Sequence, residues 1–191
     1  MLKLLVLLIS MICSQGSFNF RVSMDVAPEQ LLLLIRSVDF LNTSFGCKLV
    51  GLVMDSELKN VYLPQDSGHS FLFMKDVSRE PGVSPDAVAF TDDRFLSKNQ
   101  SYGVHIAVND SRSHPSSSMI WYSDPSRWGT WDWALARIII HEIGHAFSLR
   151  DDAPGINLMC GQELESDQSP IGVDEMKPFV EAIKAKGAAC E

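Results

Sequence analysis

No run of basic residues occurs anywhere in this chain of 191 residues, whose formal net charge is −8. Nucleic acid and anionic membrane surfaces are therefore not expected partners, since both are held by clustered cations. No internal repeat or low-complexity tract is present either, so no repeat architecture is expected. The longest apolar stretch, Leu4–Cys13, falls well short of the roughly 20 residues that span a bilayer. Disorder is excluded from the other side, by a hydrophobic content of 46% against 21% charged residues. The length suits one domain with a sizeable core and is too short for two comfortable ones.

What is present begins at the N-terminus. Lys3, the apolar stretch and the small, polar Ser14–Ser17 form the pattern of a secretory signal peptide, with cleavage expected after about residue 16. Cleavage would remove Lys3 and no acid, taking −8 to −9. The expectation is a secreted, extracellular domain over residues 17–191 that is not membrane-bound once cut. Of the four cysteines, Cys47, Cys160 and Cys190 then remain, an odd number that leaves one unpaired. Cys160–Cys190 is the preferred pair, because it would tie the chain end to the loop after the central helix. Asn42, Asn99 and Asn109 each sit in an Asn-x-Ser/Thr pattern, a weak signal for glycosylation.

The order of elements reads as α+β. Phe18–Met24 alternates like a strand, and Pro28 opens a helix through Phe45 with Leu31, Leu34, Ile35, Val38 and Leu41 on one stripe. Gly46 stands where a helix stops. Strands are expected near 47–55, 69–77, 87–93, 102–110 and 119–124. A long helix should start near Trp131, capped by Thr130 or Asp132. An irregular stretch over 151–170 and a last amphipathic helix over about 173–186 complete the chain.

The long helix carries "HEIGH", with His141 and His145 one turn apart on the same face and Glu142 between them. Two imidazoles so placed can bind one ion at about 2.0–2.1 Å. Glu142 can reach a water there without ligating, which is the general-base position of a zinc hydrolase. The five residues alone are common by chance. Their context is a strongly apolar helix, followed by "AFSLRDDAPGINLMC".

The whole segment resembles the metzincin clan of zinc endopeptidases, whose pattern is HExxHxxGxxH, or the same ending in Asp. His141, Glu142 and His145 match it, and Asp151 falls on the third-ligand position. Met159 lies where matrix-metalloproteinase-like members carry the methionine of their Met-turn. The resemblance implies a twisted mixed sheet packed on two helices, one of them the active-site helix. It implies an upper subdomain over about 17–147 and a lower one over about 148–191, with the Met-turn and the final helix in the lower. It further implies one catalytic zinc held by His141, His145 and Asp151, with Glu142 as general base and Met159 beneath the histidines. A peptide or protein substrate would lie along an edge strand over Gly103, Val104, His105, Ile106, Ala107 and Val108, and the enzyme is expected to be a monomer.

The sequence departs from the pattern in two places. Ser148 replaces the glycine that turns the chain out of the helix, which leaves Asp152 as a competitor to Asp151. Cys160, not tyrosine, follows Met159. No cysteine-switch segment precedes the first helix, so synthesis without intramolecular latency is expected. His105 reads as structural and His69 and His114 as solvated. Trp121, Trp128, Trp131 and Trp133 read as core or cleft wall. The acids at Thr91–Asp93 are candidates for structural calcium, though a solvated turn is the simpler reading. Two rivals stay open: a thermolysin-like site with Glu175 as third ligand, and a secreted zinc-binding homologue without activity.

Overall fold

The computed structural model describes residues 18–63, 66, 68–85, 87–92, 103–109, 133–160 and 170–188. The signal segment, Asn99, His114, Trp121, Trp128, Trp131, Cys190, the strand expected near 119–124 and the cap at Thr130 or Asp132 lie outside them.

The described residues form an α+β fold with a five-stranded mixed sheet and three α-helices. In chain order these are β1 (Phe18–Ser23), α1 (Pro28–Phe45), β2 (Val50–Asp55), β3 (Ser70–Met74), β4 (Ala89–Asp92), β5 (His105–Asn109), α2 (Trp133–Ala146) and α3 (Val173–Ala185). The sheet order is β2-β1-β3-β5-β4, parallel throughout except for β4, which runs antiparallel to β5.

Helix α1 forms where its apolar stripe predicts. Pro28 occupies its first turn, where a missing N–H costs nothing. Leu34, Val38, Leu41 and Phe45 are buried against the sheet. Gly46 ends the helix in the left-handed region at φ 88°. Asn42 then ties the helix to β2: its Nδ2 donates to the Val50 carbonyl, and its Oδ1 accepts from the N–H groups of Leu49 and Val50, all at 2.9 Å. Both ends of its amide are thus engaged within the fold. Asn109 is 1% exposed, with its Oδ1 accepting from Val77 N–H, which keeps that glycosylation candidate out of solvent.

Strands β3 and β5 are buried along their whole length, as expected of strands covered on both faces. This corrects the expected substrate strand. The segment Gly103–Val108 does not form a sheet edge, because β5 is bonded to β3 on one side and to β4 on the other. The edge on that side is β4. Gly103 and Val104 precede β5, and a side chain at Gly103 would meet the Gly68 carbonyl oxygen at 2.2 Å, which explains the glycine.

Helix α2 buries Leu135, Ala136, Ile138, Ile139, Ile140 and Ile143. Arg137, 1% exposed on this helix, pairs with Glu175 on α3 at 2.9 Å. Glu175 is therefore committed to a cation away from the histidines, which disfavours it as a metal ligand. Residues after 147 do not form a separate core: Leu158, Met159, Phe179 and Ile183 share one cluster with Leu34 and Ile139.

Three further expectations meet the structure here. Cys160 is a free, exposed thiol and Cys47 is disulfide-bonded, so the Cys160–Cys190 pair does not form. A turn held by its own backbone bonds brings Cys160 up without needing a covalent tie. His69 is not solvated: its Nδ1 accepts from Val104 N–H at 2.9 Å, and its ring stacks on Phe18 at 4.2 Å. His105 is structural, buried in β5 with Nδ1 2.8 Å from Ser70 Oγ. Trp133 joins the core edge-on to Phe40. Among the described residues no helix is long and apolar enough to cross a membrane.

Candidate metal centre

Helix α2 ends in a tight C-terminal turn that positions everything after it. Ser148 N–H donates to the His145 carbonyl at 2.8 Å, and Leu149 N–H to the Gly144 carbonyl at 3.1 Å. These two bonds define a Schellman turn, whose last residue must adopt left-handed φ. Ser148 does so, at φ 61°. Ser148 thus takes the conformation that a glycine favours at such a helix end, and the loop leaves the helix as a glycine would direct it. Asp152 is left-handed as well, at φ 56°, and its N–H donates to the Met159 carbonyl at 2.8 Å. Aspartate tolerates this region better than most residues.

Between those two turns the chain delivers Asp151, and not Asp152, to the histidines. Asp151 Oδ1 lies 3.2 Å from His141 Nε2 and 3.3 Å from His145 Nε2, and the two Nε2 atoms are 3.0 Å apart. Among the described residues this is the one group of His, Cys, Asp and Glu side chains arranged to hold a metal ion. Asp152 instead accepts from the Cys160 thiol at 3.8 Å.

Backbone carbonyls fix the imidazoles. His141 Nδ1 is 2.9 Å from the Leu158 carbonyl oxygen and His145 Nδ1 is 2.8 Å from that of Leu149. A carbonyl only accepts, so each Nδ1 carries a hydrogen, and in a neutral ring Nε2 then presents a lone pair. Three acceptors then converge with no hydrogen between them, an arrangement that a cation relieves. The triangle also fits one. Tetrahedral ligands about 2.0–2.1 Å from a zinc ion are separated by about 3.3 Å, close to the three spacings here. The group can bind a metal ion.

Beneath the histidines Met159 is fully buried in a 3-10 turn, Asn157–Met159. A side chain at Gly144 would meet its sulfur at 2.7 Å and the Phe179 ring at 2.9 Å, so the helix sits directly on this floor. The same turn supplies the Leu158 carbonyl that orients His141. Floor and orienting group are therefore one element.

Glu142 is 5% exposed and projects toward β4, where Thr91 Oγ1 lies 2.6 Å from its Oε2 and 3.0 Å from its backbone carbonyl oxygen. Burial pushes the carboxyl up to about 7, and the Thr91 hydrogen bond opposes that rise. Burial likewise lowers His141 from its ordinary value, reinforced by the neighbouring His145 and opposed by the Leu158 carbonyl and Asp151. His141 is thus kept in the neutral form that a metal needs.

His141, Glu142, His145 and Asp151 open onto a cleft of about 800 Å³, walled by β4, by Pro81–Ser84 and by Leu149–Asp151. Among the described residues no strand pairs with the other edge of β4. Asn109 N–H donates to the Val88 carbonyl at 2.8 Å, and Ala89 to Asp92 pair with Val108 to His105. In an antiparallel ladder bonded and non-bonded pairs alternate, so the N–H and C=O of Ala89 and Thr91 point away from β5. Asp92, in the acidic stretch considered for calcium, accepts from the Tyr62 hydroxyl.

The structure brings together His141, Glu142, His145, Asp151 and Met159. It leaves the β5 residues behind the cleft edge. Sequence reasoning missed Thr91, Leu149 and Leu158: a carbonyl carries no sequence signature, and a threonine 51 positions from its partner gives no local pattern. Comparison with models of known protein families found no match, and no curated protein is similar in sequence.

Proposed function

We propose that the chain is a secreted, zinc-dependent endopeptidase of the metzincin type, holding one zinc ion through His141, His145 and Asp151. The observation that carries the reading is the convergence of three acceptors at 3.0–3.3 Å, with a buried carboxyl beside them and an open strand edge in front. Two neutral imidazoles and one carboxylate are an accepted zinc donor set with a position left for water or substrate.

A zinc ion in such a set supplies Lewis acidity and brings the pKa of a water it holds to about 7. The chain's own groups do the rest. Glu142 takes a proton at its carboxylate and returns it to the leaving amine, and a carboxyl pushed up to about 7 is matched to that exchange at neutral pH. The peptide adds to the sheet at β4, using the outward N–H and C=O of Ala89 and Thr91. The carbonyls of Leu149 and Leu158 orient both imidazoles, so their geometry is set before substrate arrives.

The deciding experiment measures zinc content and cleavage of an unfolded protein for wild type and Glu142→Ala. One zinc per chain with cleavage abolished by the substitution supports the reading. Zinc binding without cleavage in either protein supports an inactive homologue instead, and no zinc in either removes the metal site.

A further inference from the structure

Thr91 is the one described side chain that hydrogen-bonds the Glu142 carboxyl. It reaches across from the sheet edge to the middle of α2, and its Oγ1 lies within bonding distance of two oxygens of the same residue, at 2.6 Å and 3.0 Å. The backbone of Thr91, meanwhile, faces the open side of β4. One residue thus touches Glu142 with its side chain and offers its main chain to whatever pairs with the strand.

We propose that Thr91 is the positioning residue of Glu142, fixing which carboxylate oxygen exchanges the proton and linking that choice to occupancy of the β4 edge; the proposal rests on the proteolytic reading. A hydroxyl has one hydrogen and can also accept. With Glu142 ionised, Thr91 Oγ1–H donates to Oε2, which leaves Oε1 as the oxygen free to take a proton. Should the proton reside on Oε2, Oγ1 accepts it as a hydrogen bond and turns its own hydrogen to the Glu142 carbonyl 3.0 Å away. The carboxyl is held in one orientation in both states, and no proton leaves the pair except through Glu142. A peptide bonded to the Thr91 N–H and C=O fixes the backbone from which that hydroxyl extends. Docking and orientation of the base are then one event.

The test compares Thr91→Val, which keeps shape and removes the hydroxyl, with Thr91→Ser, which keeps the hydroxyl. Peptide cleavage is resolved into kcat and KM, alongside zinc content and thermal melting. Glu142 also reports directly through its carboxyl carbon-13 signal, assigned by comparison with Glu142→Gln. Thr91→Val is expected to lower kcat by about tenfold or more, since small misplacement of a reacting group costs up to about a hundredfold. KM should stay within about twofold and zinc at one per chain, while Thr91→Ser keeps kcat within about threefold. The Glu142 signal should move in the valine variant and hold in the serine variant. An unchanged kcat in Thr91→Val, or equal losses in both variants that follow melting temperature, overturns the proposal. A wild type that cleaves nothing removes the proteolytic reading and this positioning role with it, while movement of the Glu142 signal still establishes the contact. A signal unmoved by Thr91→Val overturns the proposal whatever the activity.

Discussion

His141 and His145 present their Nε2 atoms to each other at 3.0 Å, and on the far side of each ring a backbone carbonyl holds Nδ1. With both rings neutral, neither Nε2 carries a hydrogen to donate to the other. Asp151 closes the triangle with a third acceptor. The three side chains form a group that can hold a metal ion.

Asp151 rather than Asp152 should therefore govern metal affinity. Asp151→Ala is expected to weaken zinc binding by roughly tenfold to a hundredfold or more, the range seen when even an outer partner of a metal site is lost. Asp152→Asn should leave it within about threefold, asparagine being chosen because it tolerates the left-handed backbone there. Competition against a chelator of known affinity measures both. Equal losses in the two variants would return Asp152 to the ligand set.

Burial of Glu142 gives the metal-free protein a characteristic pH response. Folded Glu142 ionises near pH 7 against an ordinary value of 4.5, so a protonated carboxyl is favoured in the folded chain. The stability this contributes is complete below pH 4.5 and is lost as pH rises through 7. Glu142→Gln, neutral at every pH, should accordingly stabilise the metal-free chain more at pH 8 than at pH 5. The difference is expected to be roughly 2–3 kcal/mol at most. His141 is common to both proteins and cancels in the comparison. Thermal melts of the two proteins at the two pH values test it, and an equal effect at both would show the carboxyl ionised on folding.

Ser148 spends backbone energy on its turn. A left-handed residue with a Cβ costs about 1–2 kcal/mol, part of which glycine gives back through its freer unfolded chain. Ser148→Gly is expected to stabilise the protein by about 0.5–1 kcal/mol, or about 1–4 °C in melting temperature. Zinc content should be unchanged. Destabilisation on this substitution would mean that the serine hydroxyl has a role of its own.

Asn42 is the joint between α1 and β2. Asn42→Ala removes three hydrogen bonds and strands the N–H and the carbonyl of Val50, while Leu49 N–H keeps its bond to the Cys47 carbonyl at 3.0 Å. A loss of about 2–4 kcal/mol is expected in denaturant unfolding, because stranded backbone groups cost more than the bonds are worth. The same geometry predicts that no glycan occupies Asn42 in the folded protein, which mass spectrometry of protein from a glycosylating host would check.

Much of the site was legible in one dimension because helix geometry is local. Four residues make about one turn, so His141 and His145 share a face in any helix that contains them, and Glu142 follows. The apolar stripe of α1 and its stop at Gly46 are local in the same sense. The strands were legible as strands, but their places in the sheet were not. Whether β5 or β4 is the edge depends on what lies beside each, and alternation along a strand says nothing of its neighbours.

The sequence by itself determined the helices, the strands and the two-histidine face, since each follows from periodicity within one short segment. Only the tertiary structure decided that Asp151 and not Asp152 completes the triangle. Two adjacent aspartates differ only in the direction the chain gives them, and that direction is set by the left-handed turns at Ser148 and Asp152 and the bond from Asp152 to Met159. It alone decided that Cys47 is paired while Cys160 stays free, and that Thr91 meets Glu142. These are meetings of distant segments on a packed sheet, and no spacing along the chain encodes them.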